Sequence, residues 1–259
     1  MKYTFYFILF ITTSIFAQES IEAKFIKKTH LKAETLVSVD NFGTIYYLID
    51  DVIHKKTNTK NITYNNLQLG NLHSANAFNP LKINLFYKDF NTVIILDNRL
   101  AEIFKIDFNA LSPYKNVTHI STGHDNTIWT FNQDLQKLEL FDYKTRTNRA
   151  QTVPVRSNVL DLKSNYNYCY LLTENYLYTY NYFGSLIKKI VNDGYTTLVE
   201  TNENIILKRG NELFFLNKNS NKIIPIATSN LLINQFFVTN ETLYIYNNEI
   251  LHENQLKIK

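Results

Sequence analysis

A single cysteine, Cys169, occurs among the 259 residues, which excludes an intrachain disulfide. Cys169 lies within the apolar run NYCYLL, and a free cysteine in such surroundings is typically buried and inert. We therefore interpret Cys169 as a core residue and not as a nucleophile. No stretch beyond the N-terminal segment has the 18 consecutive apolar residues typical of a membrane-spanning helix.

Glycine and proline are also scarce, at six and four residues. Asparagine takes their place at most breaks between apolar runs: Asn65–Asn66, Asn126, Asn175, Asn211 and Asn247–Asn248. Asparagine tolerates left-handed backbone geometry and hydrogen-bonds within its own turn, so it can form hairpins where glycine is scarce. No convincing helical periodicity follows the N-terminal segment, and the pattern predicts an all-β protein.

The sequence lacks the short motifs of common catalytic sites: it has no HExxH, CxxC, Walker loop or G-x-S-x-G. His119 and His124 would need helical geometry to bind one metal ion, but their context THISTGHDN is typical of a strand and a turn. The net charge of +4 is spread along the chain in short lysine pairs, which does not indicate a nucleic-acid partner.

The N-terminus has the layout of a secretory signal peptide over residues 1–17. Lys2 precedes an apolar stretch from Phe5 to Phe16, and Ala17 offers a small residue for cleavage. No cysteine directly follows the apolar stretch, so a lipoprotein anchor is not expected. We predict export to the periplasm or the cell surface, with residues 18–259 forming the mature domain; a retained N-terminal anchor is the alternative.

Apolar strand-like runs recur along the mature chain. TIYYLID, TVIILDN, TIWTFNQ, YCYLLTE, NIILKRG and TLYIYNN begin at 44, 92, 127, 168, 204 and 242, so they are 48, 35, 41, 36 and 38 residues apart. Each is followed by a second run, with further short runs on either side, and this spacing is typical of four-stranded propeller blades. Continuous apolar runs favour a propeller over a sandwich or barrel, because its inner strands are buried on both faces.

The two ends of the chain supply the rest of the ring. KFIKKT near the N-terminus is predicted to be the outer strand of a blade that EILHENQLKIK completes, which leaves no open seam. We therefore expect a single six-bladed β-propeller closed by its N- and C-terminal strands, with seven blades as the alternative.

Two stretches, VDNFGTIYYLID and TGHDNTIWTFNQDLQKLELFD, resemble the turn-strand-turn-strand unit of the secreted bacterial β-propellers of the YVTN/NHL/WD40-like group. A third, FNPLKINLFYKDFNTVIILDN, is similar to uncharacterised exported six-bladed propellers of Gram-negative bacteria. The chain departs from the group in its shortage of glycine and in lacking the WD dipeptide. The resemblance implies a binding scaffold, and it carries over no catalytic residue.

The interval between the first two runs is the longest, and we interpret residues 65–82 as an extra loop. Such a loop usually has a function, and its apolar residues disfavour disorder. It either contacts a partner or folds over its own blade. The candidate partner-binding residues are Leu72, His73, Phe78, Asn79, Lys82 and Arg99.

The polar breaks after the strand-like runs offer a second kind of site. If Asp50, Asp97, Asp134 and Glu174 converged at a channel mouth, their oxygens would suit Ca²⁺, as in the metal-dependent lactonases that this pattern resembles. The alternative is that hairpin turns are simply rich in such residues.

These observations rank three functions. The first is a non-enzymatic, cofactor-free scaffold for an envelope or surface protein partner, as a subunit of a cell-envelope complex. The second is a metal-dependent hydrolase or lactonase with a cation at the channel mouth. The third is a glycan-binding propeller, which would need exposed aromatic residues on one face.

Overall fold

A computed structural model describes residues 20–228 and 231–258 of the chain. The predicted signal peptide, 1–17, lies outside the described residues. Apart from two 3₁₀ turns, Leu67–Leu69 and Phe108–Ala110, the regular structure of the described residues is entirely β. Within the described ranges, no helix is long and apolar enough to cross a membrane.

The strands follow one another with short connections. They are β1 (Ile21–His30), β2 (Thr35–Val39), β3 (Ile45–Ile49), β4 (Val52–Lys56), β5 (Asn61–Tyr64), β6 (Ser74–Asn76), β7 (Ile83–Tyr87), β8 (Thr92–Leu96), β9 (Glu102–Asp107), β10 (Val117–Thr122), β11 (Thr127–Asn132), β12 (Lys137–Asp142), β13 (Thr147–Gln151), β14 (Val159–Ser164), β15 (Tyr168–Thr173), β16 (Tyr176–Asn181), β17 (Leu186–Val191), β18 (Thr197–Thr201), β19 (Asn204–Arg209), β20 (Glu212–Leu216), β21 (Ile223–Ala227), β22 (Gln235–Thr239), β23 (Thr242–Asn247) and β24 (Ile250–Leu256).

Four antiparallel sheets of four strands follow chain order: β2–β5, β6–β9, β10–β13 and β14–β17. The fifth sheet has eight strands in the order β18-β19-β20-β21-β1-β24-β23-β22. Among the described residues, backbone pairing joins its two antiparallel halves only between β1 and β21, which pair in parallel at Ile21 with Ile226 and Glu22 with Ala227. As the sequence predicted, the N-terminal strand β1 pairs with the C-terminal strand β24.

The sheets are arranged as a ring around their first strands. β2 contacts β22 on one side and β6 on the other, while β14 lies between β10 and β18. Hydrophobic clusters fill the interfaces between neighbouring sheets; one of them joins β2–β5 to β6–β9, and another joins β2–β5 to the half of the large sheet that contains β22–β24. The predicted all-β propeller is therefore confirmed.

Side chains connect the innermost strands of two neighbouring sheets. The Gln235 side chain accepts a hydrogen bond from the Leu36 backbone N–H, 2.5 Å away, and the Thr239 hydroxyl donates to the Val39 carbonyl at 2.5 Å. Both bonds join β22 to β2, which belong to different sheets and are not paired through their backbones. The two side-chain bonds satisfy polar backbone groups that a continuous sheet would pair with a neighbouring strand.

Several tight hairpins are built without glycine, and one of them uses Asn248, which the asparagine pattern predicted. Four two-residue turns have positive φ at both positions, between 47° and 66°: Asp50–Asp51, Asn202–Glu203, Asn240–Glu241 and Asn248–Glu249. This is the geometry of the type I′ turn, whose twist matches that of the flanking strands. Asparagine and aspartate at the first position adopt it at lower cost than most residues.

The second sheet corrects the repeat read from the sequence. TVIILDN forms β8, the third strand of its sheet, whereas its counterparts in other sheets are second strands. The second strand is β7, which begins at Ile83. The long first interval therefore reflects a shift by one strand, because Ile83–Tyr87 and Thr92–Leu96 are equally apolar and equally buried.

Residues 65–82 are consequently not an inserted loop. They contain a 3₁₀ turn, the first strand β6, and the turn from β6 to β7. Leu69 and Leu72 are buried in the core between the first two sheets. The sequence left two roles for this segment, contact with a partner or folding over its own blade. Its centre packs against its own and the neighbouring sheet.

Because successive strands alternate in direction, the turns fall at two ends of the ring. We call the end with the turns between first and second strands, and between third and fourth strands, the mouth face. The end with the turns between second and third strands, and the connections between sheets, is the back face.

Candidate binding face

A cavity of about 370 Å³ opens at the mouth face, where first strands from several sheets end. Asp40, Phe78, Glu200, Phe237 and Thr239 are among its lining residues. A narrower cavity of about 70 Å³ adjoins it deeper in the ring, among strands β2, β6, β14, β18 and β22. Together they form the entrance to the central channel, and both are large enough to hold water or a ligand group.

Exposed aromatic side chains lie on the mouth face, and two of them, Phe42 and Phe78, line this entrance. Phe42, from the β2–β3 turn, is 91% exposed, and Phe183, from the β16–β17 turn, is 65% exposed. The Phe78 ring reaches the Tyr166 ring from a different sheet, with centroids 5.2 Å apart and the rings nearly perpendicular. Tyr182 stacks obliquely against Phe183 at 4.0 Å. A concentration of partly exposed aromatic rings at one end of a protein is typical of binding surfaces.

Phe42 and Phe183 lie in two separate turns of the same kind. In DNFGT the Asp40 carboxylate accepts hydrogen bonds from the N–H groups of Phe42 and Thr44, both at 2.9 Å. In NYFGS the Asn181 side chain accepts from Phe183 and Ser185, both at 3.0 Å. A glycine with φ of 77° follows the phenylalanine in both turns. The turn is thus satisfied internally, and its phenylalanine projects from it.

Glu200 is the most buried carboxylate at the entrance. Its side chain accepts hydrogen bonds from the Asn165 amide at 2.8 Å and from the Glu203 N–H at 2.7 Å. Burial raises the pKa of Glu200 above its ordinary value, and these hydrogen bonds oppose the shift. In the part of the chain that the structure describes, no Lys, Arg or His lies within ion-pair distance of it.

Four predicted partner-binding residues lie at the mouth face. Phe78, Asn79 and Lys82 belong to the β6–β7 turn, and Arg99 belongs to the β8–β9 turn. Burial lowers the pKa of the Lys82 ammonium, and the nearby Asp125 carboxylate opposes this effect. These four residues share the mouth face, although 65–82 is not the extra loop that the sequence predicted, and their role in partner binding stays a prediction.

The other two candidates lie at the back face, in the connection from β5 to β6. Leu72 is only 6% exposed, and its N–H donates to the Asp51 carboxylate at 2.9 Å. Leu72 therefore does not contact a partner, because its side chain packs in the core. His73 is exposed next to it, edge-on to the Phe86 ring at 6.0 Å.

The four carboxylates of the metal hypothesis are not brought together. Asp50, Asp134 and Glu174 lie in different back-face turns, whereas Asp97 lies in the β8–β9 turn at the mouth face. Asp97 accepts hydrogen bonds from Arg99 and Ala101 within its own turn. The shift by one strand in the second sheet explains its wrong placement. Among the residues described, no group of three or more His, Cys, Asp or Glu side chains is suited to a metal ion.

The two histidines of THISTGHDN lie in different surroundings. His124 lies at the mouth face, 5.5 Å from the Tyr182 ring in an edge contact. His119 lies in β10, and burial lowers its pKa to about 4, with the nearby Asp161 carboxylate opposing this shift. The predicted interpretation of this stretch as strand and turn is confirmed.

Several residues of the mouth face were missed from the sequence: Phe42, Tyr166, Phe183 and Glu200. The repeated turn pattern of an Asp or Asn followed by x-F-G was a usable signal for both phenylalanines. Glu200 had no such signal, because its burial depends on the packing of first strands from different sheets.

No protein-family model matches the sequence, and no curated protein matches it either. Solved structures share its fold. Virginiamycin B lyase from Staphylococcus aureus, a catalytically inactive variant with quinupristin, has a TM-score of 0.59 at 10% identity, covering 84% of this chain and 78% of that chain. The WD40 domain of Neurospora crassa Pan2 has a TM-score of 0.59 at 9% identity, covering 88% and 76%.

PorZ from Porphyromonas gingivalis, an essential bacterial surface component of the type-IX secretion system, has a TM-score of 0.51 at 13% identity. This chain covers 31% of PorZ, and 84% of this chain is matched. Identities this low establish the propeller fold alone. The similar structures include an enzyme and a WD40 domain, so similarity of fold does not distinguish an enzyme from a binding domain.

Proposed function

We propose that this protein is a non-enzymatic scaffold that binds a protein partner through its mouth face. The observation that carries the proposal is a set of exposed aromatic side chains on the mouth face: Phe42, Phe78, Tyr166, Tyr182 and Phe183. Aromatic residues supply most of the binding energy at many protein interfaces, because they bury a large apolar area at low entropic cost. The similarity of this chain's fold to that of a WD40 domain is consistent with such a role.

The proposal includes a six-bladed ring. We infer that the eight-stranded sheet is two blades whose outer strands touch, because only two residue pairs join β21 to β1. Each half then has the four antiparallel strands of the other sheets. The blade that contains β1 holds both ends of the mature chain together, which closes the ring without an exposed edge.

We also propose export to the periplasm or cell surface and a place in an envelope complex. Support for export comes from the basic, apolar and small-residue order of residues 1–17. PorZ provides an example of a protein with this fold at a bacterial surface.

The test is capture of a partner from the envelope fraction by the mature chain, tagged at its C-terminus. The variant Phe42→Ser, Phe183→Ser removes two aromatic residues whose turns are held by Asp40 and Asn181, so the fold should persist. The matched control, Leu67→Ser, removes an exposed apolar residue of the back face. The captured protein is then purified and titrated against each variant.

The proposal predicts a stoichiometric complex that the wild type and the back-face control form equally, and that the mouth-face variant binds at least about 100-fold more weakly, the loss of roughly two aromatic anchors. Equal affinity of the mouth-face variant would refute the proposed surface. Capture of glycan by the wild type, without protein, would favour the glycan-binding alternative. Hydrolysis of a substrate that depends on an added divalent metal would favour the enzyme.

A further inference from the structure

The channel entrance carries negative charge, although the chain as a whole has a net charge of +4. The charged residues that line the 370 Å³ cavity are Asp40 and Glu200. Lys163 lies deeper, in the narrower cavity, and its ammonium donates to the Asp161 carboxylate at 2.9 Å. The outer cavity is therefore lined by carboxylates, and the lysine that lines the adjoining cavity is already paired.

A second, independent feature points to a ligand in this space. Ser38 lines both cavities and is only 4% exposed. Its hydroxyl has no hydrogen-bond partner among the described residues. Buried polar groups are nearly always hydrogen-bonded, and a buried hydroxyl without a partner costs free energy. A ligand that donates to the Ser38 Oγ would remove this cost.

The apolar part of the lining is aromatic. Phe78 and Phe237 line both cavities together with Ser38 and Glu200. Aromatic rings beside a desolvated carboxylate are suited to organic cations, since a cation is attracted both to the ring face and to the carboxylate. An aliphatic chain that carries the cation would pack against the rings.

We propose that the channel entrance binds an organic cation, a guanidinium or alkylammonium group on an aliphatic chain. The cation lies between Asp40 and Glu200, and it donates to Ser38. Under the proposed function, the group is an arginine or lysine side chain of the partner that contacts the surrounding aromatic residues. A free small cation has the same chemistry, and the experiment separates these two sources.

The probes are capped arginine (Nα-acetyl-arginine methylamide) and capped citrulline, which has the same shape without the charge. Agmatine represents a free cation. Each is titrated into ¹⁵N-labelled mature protein while backbone amide shifts are followed. We expect capped arginine to bind at least about tenfold more tightly than capped citrulline, the effect of roughly one charge-assisted hydrogen bond.

The main variant is Glu200→Gln, in which the amide oxygen still accepts from Asn165 and Glu203, so folding is maintained while the charge is lost. We expect it to bind capped arginine at least about tenfold more weakly. Ser38→Ala should weaken binding about threefold without lowering stability, because it removes a hydroxyl that has no partner in the described structure. Glu174→Gln, at the back face, is the matched control and should bind as the wild type does.

Equal affinities for arginine and citrulline, or an unchanged affinity of Glu200→Gln, would overturn the proposal. Tighter binding of agmatine than of capped arginine assigns the site to a free cation, and the reverse assigns it to a partner side chain. The captured-partner titration is independent of this result. If Glu200→Gln binds the partner as the wild type does, the partner does not use this site, while the scaffold function stands.

Discussion

Removing one partner of the buried ion pair between Lys115 and Glu139 is expected to be strongly destabilising. The Lys115 ammonium lies 2.6 Å from the Glu139 carboxylate, and the two side chains are only 9% and 2% exposed. Asn148 completes the group: its amide donates to Glu139 at 2.9 Å and its oxygen accepts from Lys115 at 3.2 Å. Lys115 precedes β10, whereas Glu139 lies in β12 and Asn148 in β13, so this group fixes the entry to the sheet β10–β13.

Replacing Lys115 by methionine keeps the aliphatic volume but leaves the Glu139 carboxylate buried without a cation. Removing one partner of a buried pair costs about 3–5 kcal/mol, since the remaining charge stays desolvated. For a chain of this size, that loss lowers the melting temperature by roughly 6–20 °C. Urea denaturation followed by circular dichroism measures the free energy of unfolding, and thermal denaturation measures the shift.

The double variant Lys115→Met, Glu139→Gln tests the cause. Its carboxamide is neutral and can still accept from Asn148, so we expect a coupling energy of about 2–3 kcal/mol in the double-mutant cycle. Lys218→Met is the control, because Lys218 and Glu203 are also paired at 2.8 Å but are partly exposed, and exposed pairs contribute little. A loss of less than about 1 kcal/mol for Lys115→Met would refute the reasoning, since it is the value of a solvated pair.

Three further predictions follow from burial. Cys169 is fully buried, and burial raises the pKa of its thiol well above the ordinary value; it should react with Ellman's reagent only after unfolding, and stoichiometric reaction of the native protein would contradict this. His119, with its pKa lowered to about 4, is protonated first in the unfolded chain, so it should make stability fall by up to about 1.4 kcal/mol per pH unit as the pH drops from about 6.5 towards 4. Imidazole NMR titration checks its pKa, and a smaller loss between pH 7 and pH 5 in His119→Gln checks the linkage. Leu72→Ala should lower the free energy of unfolding by about 2–5 kcal/mol and leave partner affinity unchanged. Leu67→Ala, at an exposed position of the same segment, should change neither quantity. Equal urea midpoints for the two variants would contradict the assignment of Leu72 to the core.

The fold class could be predicted from the sequence because it depends on local patterns. Continuous apolar runs such as Ile83–Tyr87 form strands that are buried on both faces, and Asn248 adopts the left-handed geometry expected of it. The pairing of β1 with β24 was also predictable, since the apolar runs at the two ends of the chain complete one four-stranded unit.

The strand order within the second sheet could not be read from the sequence. β7 and β8 are both five residues long, apolar and fully buried, so periodicity does not distinguish the second strand from the third. The first strand, β6, has only three residues, Ser74–Asn76, and no apolar run to mark it. This one ambiguity misplaced Asp97 and turned the core residue Leu72 into a candidate for partner binding.

The sequence by itself determined that the chain forms β-strands, that several hairpins use asparagine and aspartate in place of glycine, and that β1 and β24 meet in one sheet. These properties follow from side-chain chemistry within a few residues of chain or from the spacing of runs. The tertiary structure alone decided which turns share a face, and that Phe78 meets Tyr166 from another sheet. It also decided that Ser38 and Glu200 line one cavity, because the residues that line a channel come from strands far apart in sequence, and their distances depend on how the sheets pack around the ring.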